Sequence, residues 1–233
     1  NSYIYFKNIK QVLHEIFYNF YGLNKQLFIL TNSVTNTSFL PTILKFISQV
    51  FFIGNFTIAY VLVCIYFYFK LRELPNPHAA FLPIYEKLIR IGSCYALFGL
   101  GYALLKFSIN LPRPFCSLPA NDFITILDTS KERCLSSFPS AHAGLSILIA
   151  YFLWPYTNRI LKILLCLSVA LVTISRLTLA MHYPADILYS SLIVVILIYF
   201  NNYCYYKLRT ILIIPCGHLI SRLIFPIRNN IIN

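Results

Sequence analysis

The stretch FISQVFFIGNFTIAYVLVCIYFYF at residues 46–69, closed by Lys70 and Arg72, decides the fold class. Its 24 residues carry no charged side chain. As a helix it would be about 36 Å long, enough to cross a bilayer with some tilt. The rest of the chain agrees. Of 233 residues, 58% are hydrophobic and 11% charged, and the mean hydropathy is +0.69. Soluble domains carry about 25% charged residues. The chain therefore reads as one integral membrane domain over residues 1–233. The net charge of +12 does not signal nucleic acid, because the basic residues sit at the ends of apolar runs and form no binding motif.

Four more apolar runs extend the pattern. They are 88–105, 141–154 (stopped by Pro155), 160–174, and 184–206, which ends at Lys207 and Arg209. The expectation is an all-α membrane bundle of five transmembrane helices. Gly92, Ser93, Gly99 and Gly101 in the second run suit close helix packing rather than a nucleotide loop, since no strand precedes them. In residues 1–45, Lys7, Lys10, His14, Glu15 and Lys25 interrupt the apolar positions. That segment reads as amphipathic and interfacial, with a sixth span as the competing reading. No cleavable signal pattern is visible. The core is then 46–206, with a polar outer loop at 106–140 and a cytoplasmic tail at 207–233. His14, His78 and His218 read as hydrogen-bonded interfacial residues.

Charge fixes the orientation. Five spans put the basic turns at 70–90 and 156–162, together with the tail, on one side. The polar stretches 106–140 and 175–186 fall on the other. Basic turns stay in the cytoplasm, so the polar stretches should face outward. With residue usage rich in Ile, Asn, Lys, Tyr and Phe, as in AT-rich bacterial genomes, the expected location is a bacterial inner (plasma) membrane, with multiple passes. Cys116 and Cys134 bracket the outer loop. An oxidising outer compartment would allow a disulfide there, worth about 3 kcal/mol by loop closure.

Three motifs concentrate the chemistry: Lys106-x6-Arg113-Pro114, Pro139-Ser140-Ala141-His142, and Ser175-Arg176-x5-His182-x3-Asp186. Charge inside or beside a bilayer is costly and usually functional. Asp186 is the only acidic residue after Glu132. Lys106, Arg113 and Arg176 could each be explained by snorkelling or headgroup contact, but all three fall on one side. Together they supply the charge and bidentate donors a phosphate requires. Ser140 and Pro184 read as helix starts, so two N-termini would face the same region. His182 and Asp186 lie four residues apart, one helical turn. The carboxylate can then hold one imidazole nitrogen and leave the other free to attack phosphorus. His142 remains for acid–base work. With seven acids spread along the chain, no carboxylate cluster suits a two-metal site. No metal and no cofactor are expected.

These residues resemble the type 2 phosphatidic acid phosphatase (PAP2) family, whose pattern is K-x6-R-P, P-S-G-H and S-R-x5-H-x3-D. Every spacing matches, and the resemblance covers about residues 88–206. It implies a two-step, metal-independent reaction. His182 would form a phosphohistidine oriented by Asp186, and His142 would protonate the leaving group. Lys106, Arg113, Ser140 and Arg176 would hold the phosphate beside Ala141. One position departs: the family's Gly is Ala141 here. Its methyl narrows the cradle, mildly if the helix has already begun at that residue.

The implied function is a lipid phosphatase acting at the outer face of the membrane. Lipid A phosphate, phosphatidylglycerophosphate, undecaprenyl diphosphate and phosphatidic acid are the candidate substrates, and the lipid bilayer is the partner. Two alternatives stand beside it. One passes the phosphoryl group to a lipid acceptor. The other binds or transports a lipid phosphate without chemistry and needs no His–Asp pair.

Overall fold

The computed structural model describes residues 11–225. The outer parts of two expected segments, residues 1–10 and 226–233, lie outside them. Among the described residues the chain is all-α; its β character is limited to one antiparallel bridge between Pro112 and Leu135. A π-type turn at Glu15–Asn19 precedes α1 (Leu23–Thr35) and α2 (Leu40–Val50). Next come α3 (Ile53–Arg72), α4 (Pro77–Ile109) and the short α5 (Pro114–Ser117). Beyond two 3₁₀ turns lie α6 (Ala141–Leu153), α7 (Arg159–Thr178) and α8 (Pro184–Leu208). A second π-type turn, Arg209–Ile213, leads into α9 (Ile214–Ile224).

Among the described residues, four helical stretches are long and apolar enough to cross a membrane: α3, α4, α7 and the run Pro184–Ile224. This is a membrane protein. The fifth expected span, 141–154, is helical, but α6 has only 13 residues. At about 20 Å it is shorter than a hydrocarbon core of about 30 Å. Pro155, in the 3₁₀ turn Trp154–Tyr156, ends it. In the other direction, α4 starts at Pro77 rather than 88 and absorbs most of the basic loop read at 70–90. Proline is favoured at a first helical position because its missing N–H has no partner there anyway. At the start of α7, the Asn158 side chain accepts a hydrogen bond from Leu161 N at 2.9 Å.

The chain divides into two compact units, one of Asn1–Ile53 and Gly101–Val194, the other of Gly54–Leu100 and Val195–Asn233. In the first, α1, α2 and α6 all pack against α7. Phe28, Ala180 and Tyr183 form a buried cluster with Tyr18, Phe115 and Leu177 around it. Asn32 of α1 donates to the carbonyls of Ile124 at 2.9 Å, Leu177 at 3.1 Å and Thr178 at 3.0 Å, and accepts from Ile124 N at 2.8 Å. The segment read as interfacial thus contributes a buried, fully used amide to this unit. In the second unit, Leu71, Phe81 and Phe225 form the core, backed by Tyr85 and Ile220. Its polar groups close on one another: Ser93 donates to Asn201 at 2.9 Å, and His78 Nδ1 lies 2.8 Å from Ser221 Oγ.

Candidate active site

The junction between α7 and α8 places the third motif. The Arg176 carbonyl accepts from Met181 N at 3.0 Å and His182 N at 3.3 Å, ending α7. Ala180 turns the chain with a left-handed φ of 53°, a conformation that costs an L-residue about 1–2 kcal/mol. Pro184 then opens α8, and Asp186 Oδ2 accepts from Tyr183 N at 2.8 Å. That return contact to the helix start resembles half of a capping box. His182 is therefore held between two helix ends by backbone bonds.

Asp186 is fully buried and holds two further donors. Ser137 Oγ donates to Oδ2 at 2.5 Å, and Tyr18 OH donates to Oδ1 at 2.7 Å. His182 Nδ1 stands 3.6 Å from Oδ2, beyond hydrogen-bond reach. The one-turn spacing brings the pair together, but the expected proton-sharing bond is not formed. Competition is the reason: Oδ2 already accepts from Ser137 and Tyr183, and its geometry follows those two donors.

Ser140 is the N-cap of α6, yet its side chain makes no capping bond. Its backbone is tied instead. Ser140 N donates to the Asp186 carbonyl at 3.3 Å, and its own carbonyl accepts from Ser190 Oγ at 2.7 Å. These bonds stitch the start of α6 to α8. Ala141 is the first residue of α6 and its φ is not left-handed. The helix has begun there, so the methyl in place of hydrogen carries no backbone strain.

Lys106 lies in the last turn of α4 rather than in a loop, and its Nζ donates to the Ser136 carbonyl at 2.7 Å. Arg113 precedes α5, where its N–H donates to the Cys134 carbonyl at 2.9 Å. Cys116 and Cys134 are joined by a disulfide. Arg113 Nη1 pairs with Glu132 Oε2 at 2.7 Å, and Arg176 Nη1 donates to Ser48 Oγ of α2 at 2.7 Å.

Lys106, Arg113, Ala141, His142, Arg176 and His182 line one cavity of about 380 Å³. Ser140 and Asp186 are buried behind it. Arg113 Nε, Ser140 Oγ, Arg176 Nε and His182 Nδ1 are buried without a hydrogen-bond partner. Such groups are costly in a folded protein and concentrate where a ligand meets them. Burial holds the His182 imidazole well below its ordinary pKa, reinforced by Arg176, Lys106 and Arg113, while the Ser137 backbone carbonyl acts the other way. Burial also lowers the Arg113 guanidinium, partly offset by Glu132. Burial raises the Tyr18 phenol, and the Asp186 carboxylate raises it further, so Tyr18 remains a donor. Among the described residues no three His, Cys, Asp or Glu side chains gather to hold a metal. A cationic pocket with a neutral, buried imidazole can bind a phosphoryl group and attack it.

The motifs miss four residues that complete the arrangement: Tyr18, Ser48, Glu132 and Ser137. Ser137 lies three residues before Ser140, and a serine so near the motif was a usable signal. Tyr18 and Ser48 lie 168 and 128 residues from the side chains they touch, and nothing local marks them.

Residues 87–210, more than half of the chain, match the PAP2 superfamily. A crystal structure of Aquifex aeolicus LpxE has the same fold, with a TM-score of 0.56 at 22% sequence identity. The alignment covers 77% of this chain and 94% of that one. No curated protein matches the chain.

Proposed function

The chain belongs to the PAP2 superfamily and is a phosphatase, and from that premise we propose that it removes a phosphoryl group from a membrane lipid headgroup through a phosphohistidine. The observation that carries this reading is the cavity in which His142 and His182 meet three cationic side chains, with Arg113 Nε and Arg176 Nε unpartnered. Lys106, Arg113 and Arg176 offset the charge of the bound phosphoryl oxygens, and the Ser140 hydroxyl adds a donor. His182 Nε2 attacks phosphorus as the bond to the lipid oxygen breaks, and His142 gives its proton to the departing alkoxide. His142 then takes a proton from water, whose oxygen displaces His182 and releases inorganic phosphate. Asp186 fixes the imidazole. As substrate closes the site, the Nδ1 separation of 3.6 Å tightens to a hydrogen bond, as catalytic contacts commonly do.

The alternation of basic turns with apolar runs supports a bacterial inner membrane with the cavity facing outward. The Cys116–Cys134 bond suits that oxidising side. Lipid A phosphate, phosphatidylglycerophosphate, undecaprenyl diphosphate and phosphatidic acid are the substrate set.

The test is release of inorganic phosphate from each of these lipids in mixed micelles, without an added acceptor. Release persisting in EDTA, with an acid-labile and base-stable phosphoenzyme trapped from labelled substrate, supports the mechanism. Strong EDTA inhibition reversed by Mg²⁺ overturns it. Turnover only when a lipid acceptor is supplied assigns phosphotransfer instead.

A further inference from the structure

The cavity has a second wall that the phosphate-binding motifs do not supply. It comes from α2 and the turn after it: Lys45, Ser48 and Gln49, then Phe51, Phe52 and Ile53. Lys45, Ser48 and Gln49 are spaced i, i+3 and i+4, so they share one helix face within a single turn. Exposure differs sharply from residue to residue along that wall. Ser48 is 2% exposed and grips Arg176, Lys45 is half-buried, and Gln49 is exposed. The apolar lip follows on the other side of Ser48 from Lys45, with Phe52 53% exposed and its ring centroid 6.4 Å from that of His142.

Lys45 has no role in the proposed hydrolysis. Among the described residues it forms no ion pair. The carboxylate on the cavity wall, Glu132, is already engaged with Arg113. A lysine directed into a cationic cavity raises its positive potential, which needs a reason when one phosphate already meets Lys106, Arg113 and Arg176. Residues i and i+3 on a helix are about 5–6 Å apart at Cβ. Lys45 therefore reaches a group one to a few bonds beyond a phosphoryl held at Arg176.

We propose that Lys45 forms a subsite for a second anionic group in the same lipid headgroup, one helical turn before the Ser48 position where Arg176 meets the reacting phosphoryl. This rests on the lipid phosphatase reading and narrows it to substrates with two anionic groups. A diphosphate and a glycolipid phosphorylated at two positions are headgroups of that kind.

The test compares wild type with Lys45→Gln and Lys45→Arg in mixed micelles holding one of three lipids: a phosphate monoester, a diphosphate, or a glycolipid with two phosphates. For Lys45→Gln, KM for the preferred doubly anionic lipid is expected to rise about tenfold more than KM for the monoester, the effect of one lost charge-assisted contact. Lys45→Arg should restore most of that ratio, since it keeps the charge. The lipid with the larger loss identifies the headgroup. An equal change for all three lipids, or no change for any, overturns the subsite and leaves the phosphatase reading intact. Binding of the same lipids to His182→Ala protein, with and without Lys45→Gln, reads the ratio independently of turnover. If wild type releases no phosphate from any lipid, the proposed function fails and this binding ratio still decides the subsite.

Discussion

In the unit of 1–53 and 101–194, Arg176, His182 and Asp186 are 5%, 2% and 0% exposed, and buried polar atoms at Arg113, Ser140, Arg176 and His182 lack partners. In the unit of 54–100 and 195–233, buried polar groups are few and closed: Asn201 donates to the Arg90 carbonyl at 3.1 Å and accepts from Ser93, and Ser221 meets His78. Its helices turn Ile58, Leu62, Ile196 and Tyr199 outward, each 59–73% exposed, as lipid-facing residues should be. The difference teaches what unpaired burial is for. A paired polar group in an apolar helix serves packing. Unpaired donors around a cavity cost stability on folding and regain it only when a ligand completes them.

The sharpest way to break the comparison is to remove a histidine from each unit. His182→Ala should lower phosphate release by at least about 10⁴-fold, as loss of a covalent nucleophile does, with its thermal midpoint retained. His78→Ala in the second unit should leave turnover near wild type, since its ring bonds to Ser221 and lines no part of the phosphate cavity. Comparable losses in both would erase the distinction.

A smaller effect is expected at Arg176. Arg176→Lys should lower kcat/KM about 10²-fold, because lysine lacks the fork that both meets phosphate and reaches Ser48. Restoration of activity by lysine would mean that charge alone matters there.

Next is Tyr18. Removing its hydroxyl takes one of three donors from a buried carboxylate. Tyr18→Phe should reduce kcat about tenfold, the effect of one hydrogen bond to a charged group, with KM little changed. It should also alter the pH profile, which a merely structural tyrosine would not do.

The pH dependence follows from His182. It must be neutral to attack, and its folded-state pKa lies well below 6.5. Neutrality therefore persists as pH falls through 6.5, and the acidic limb of kcat/KM should lie below that value. Stability runs the same way: below 6.5 the unfolded imidazole binds a proton that the folded one refuses, so stability falls with pH. An acidic limb at or above 6.5 would place a different group in control.

The smallest effect on catalysis is expected from Gly92→Ala in the second unit. A methyl there would strike the Tyr60 ring and hydroxyl, which donates to the Leu88 carbonyl. Overpacking of this kind costs about 1–3 kcal/mol. The thermal midpoint should fall while KM holds.

The motifs were legible because their spacing encodes local geometry. Ser175-Arg176-x5-His182-x3-Asp186 spans one helix end, one turn and one helix start, and the structure folds it that way. The 46–69 run marked a span for a similar reason, since apolarity along about 20 residues is itself the physical requirement for crossing. The helix breaks at 51–52, however, so residues 46–50 belong to α2 and the span is Ile53–Arg72. The boundaries were less legible. Lys87 and Arg90 made 70–90 look like a basic loop, yet α4 begins at Pro77 and carries both residues. Polar charge near a helix start does not stop a helix whose backbone bonds are all internal. The roles of α1 and α2 were hidden further, because a mixed polar and apolar pattern fits an interfacial helix and a packed one equally well.

By itself, the sequence determined that this chain lives in a membrane, is helical, and gathers cations, imidazoles and a solitary carboxylate at fixed spacings. Those properties depend on composition and on separations of one or two helical turns. Only the tertiary structure decided who holds Asp186, what steadies Arg176 and what forms the far wall of the cavity. Such contacts join residues more than a hundred positions apart, and their partners are chosen by packing, which no local periodicity records.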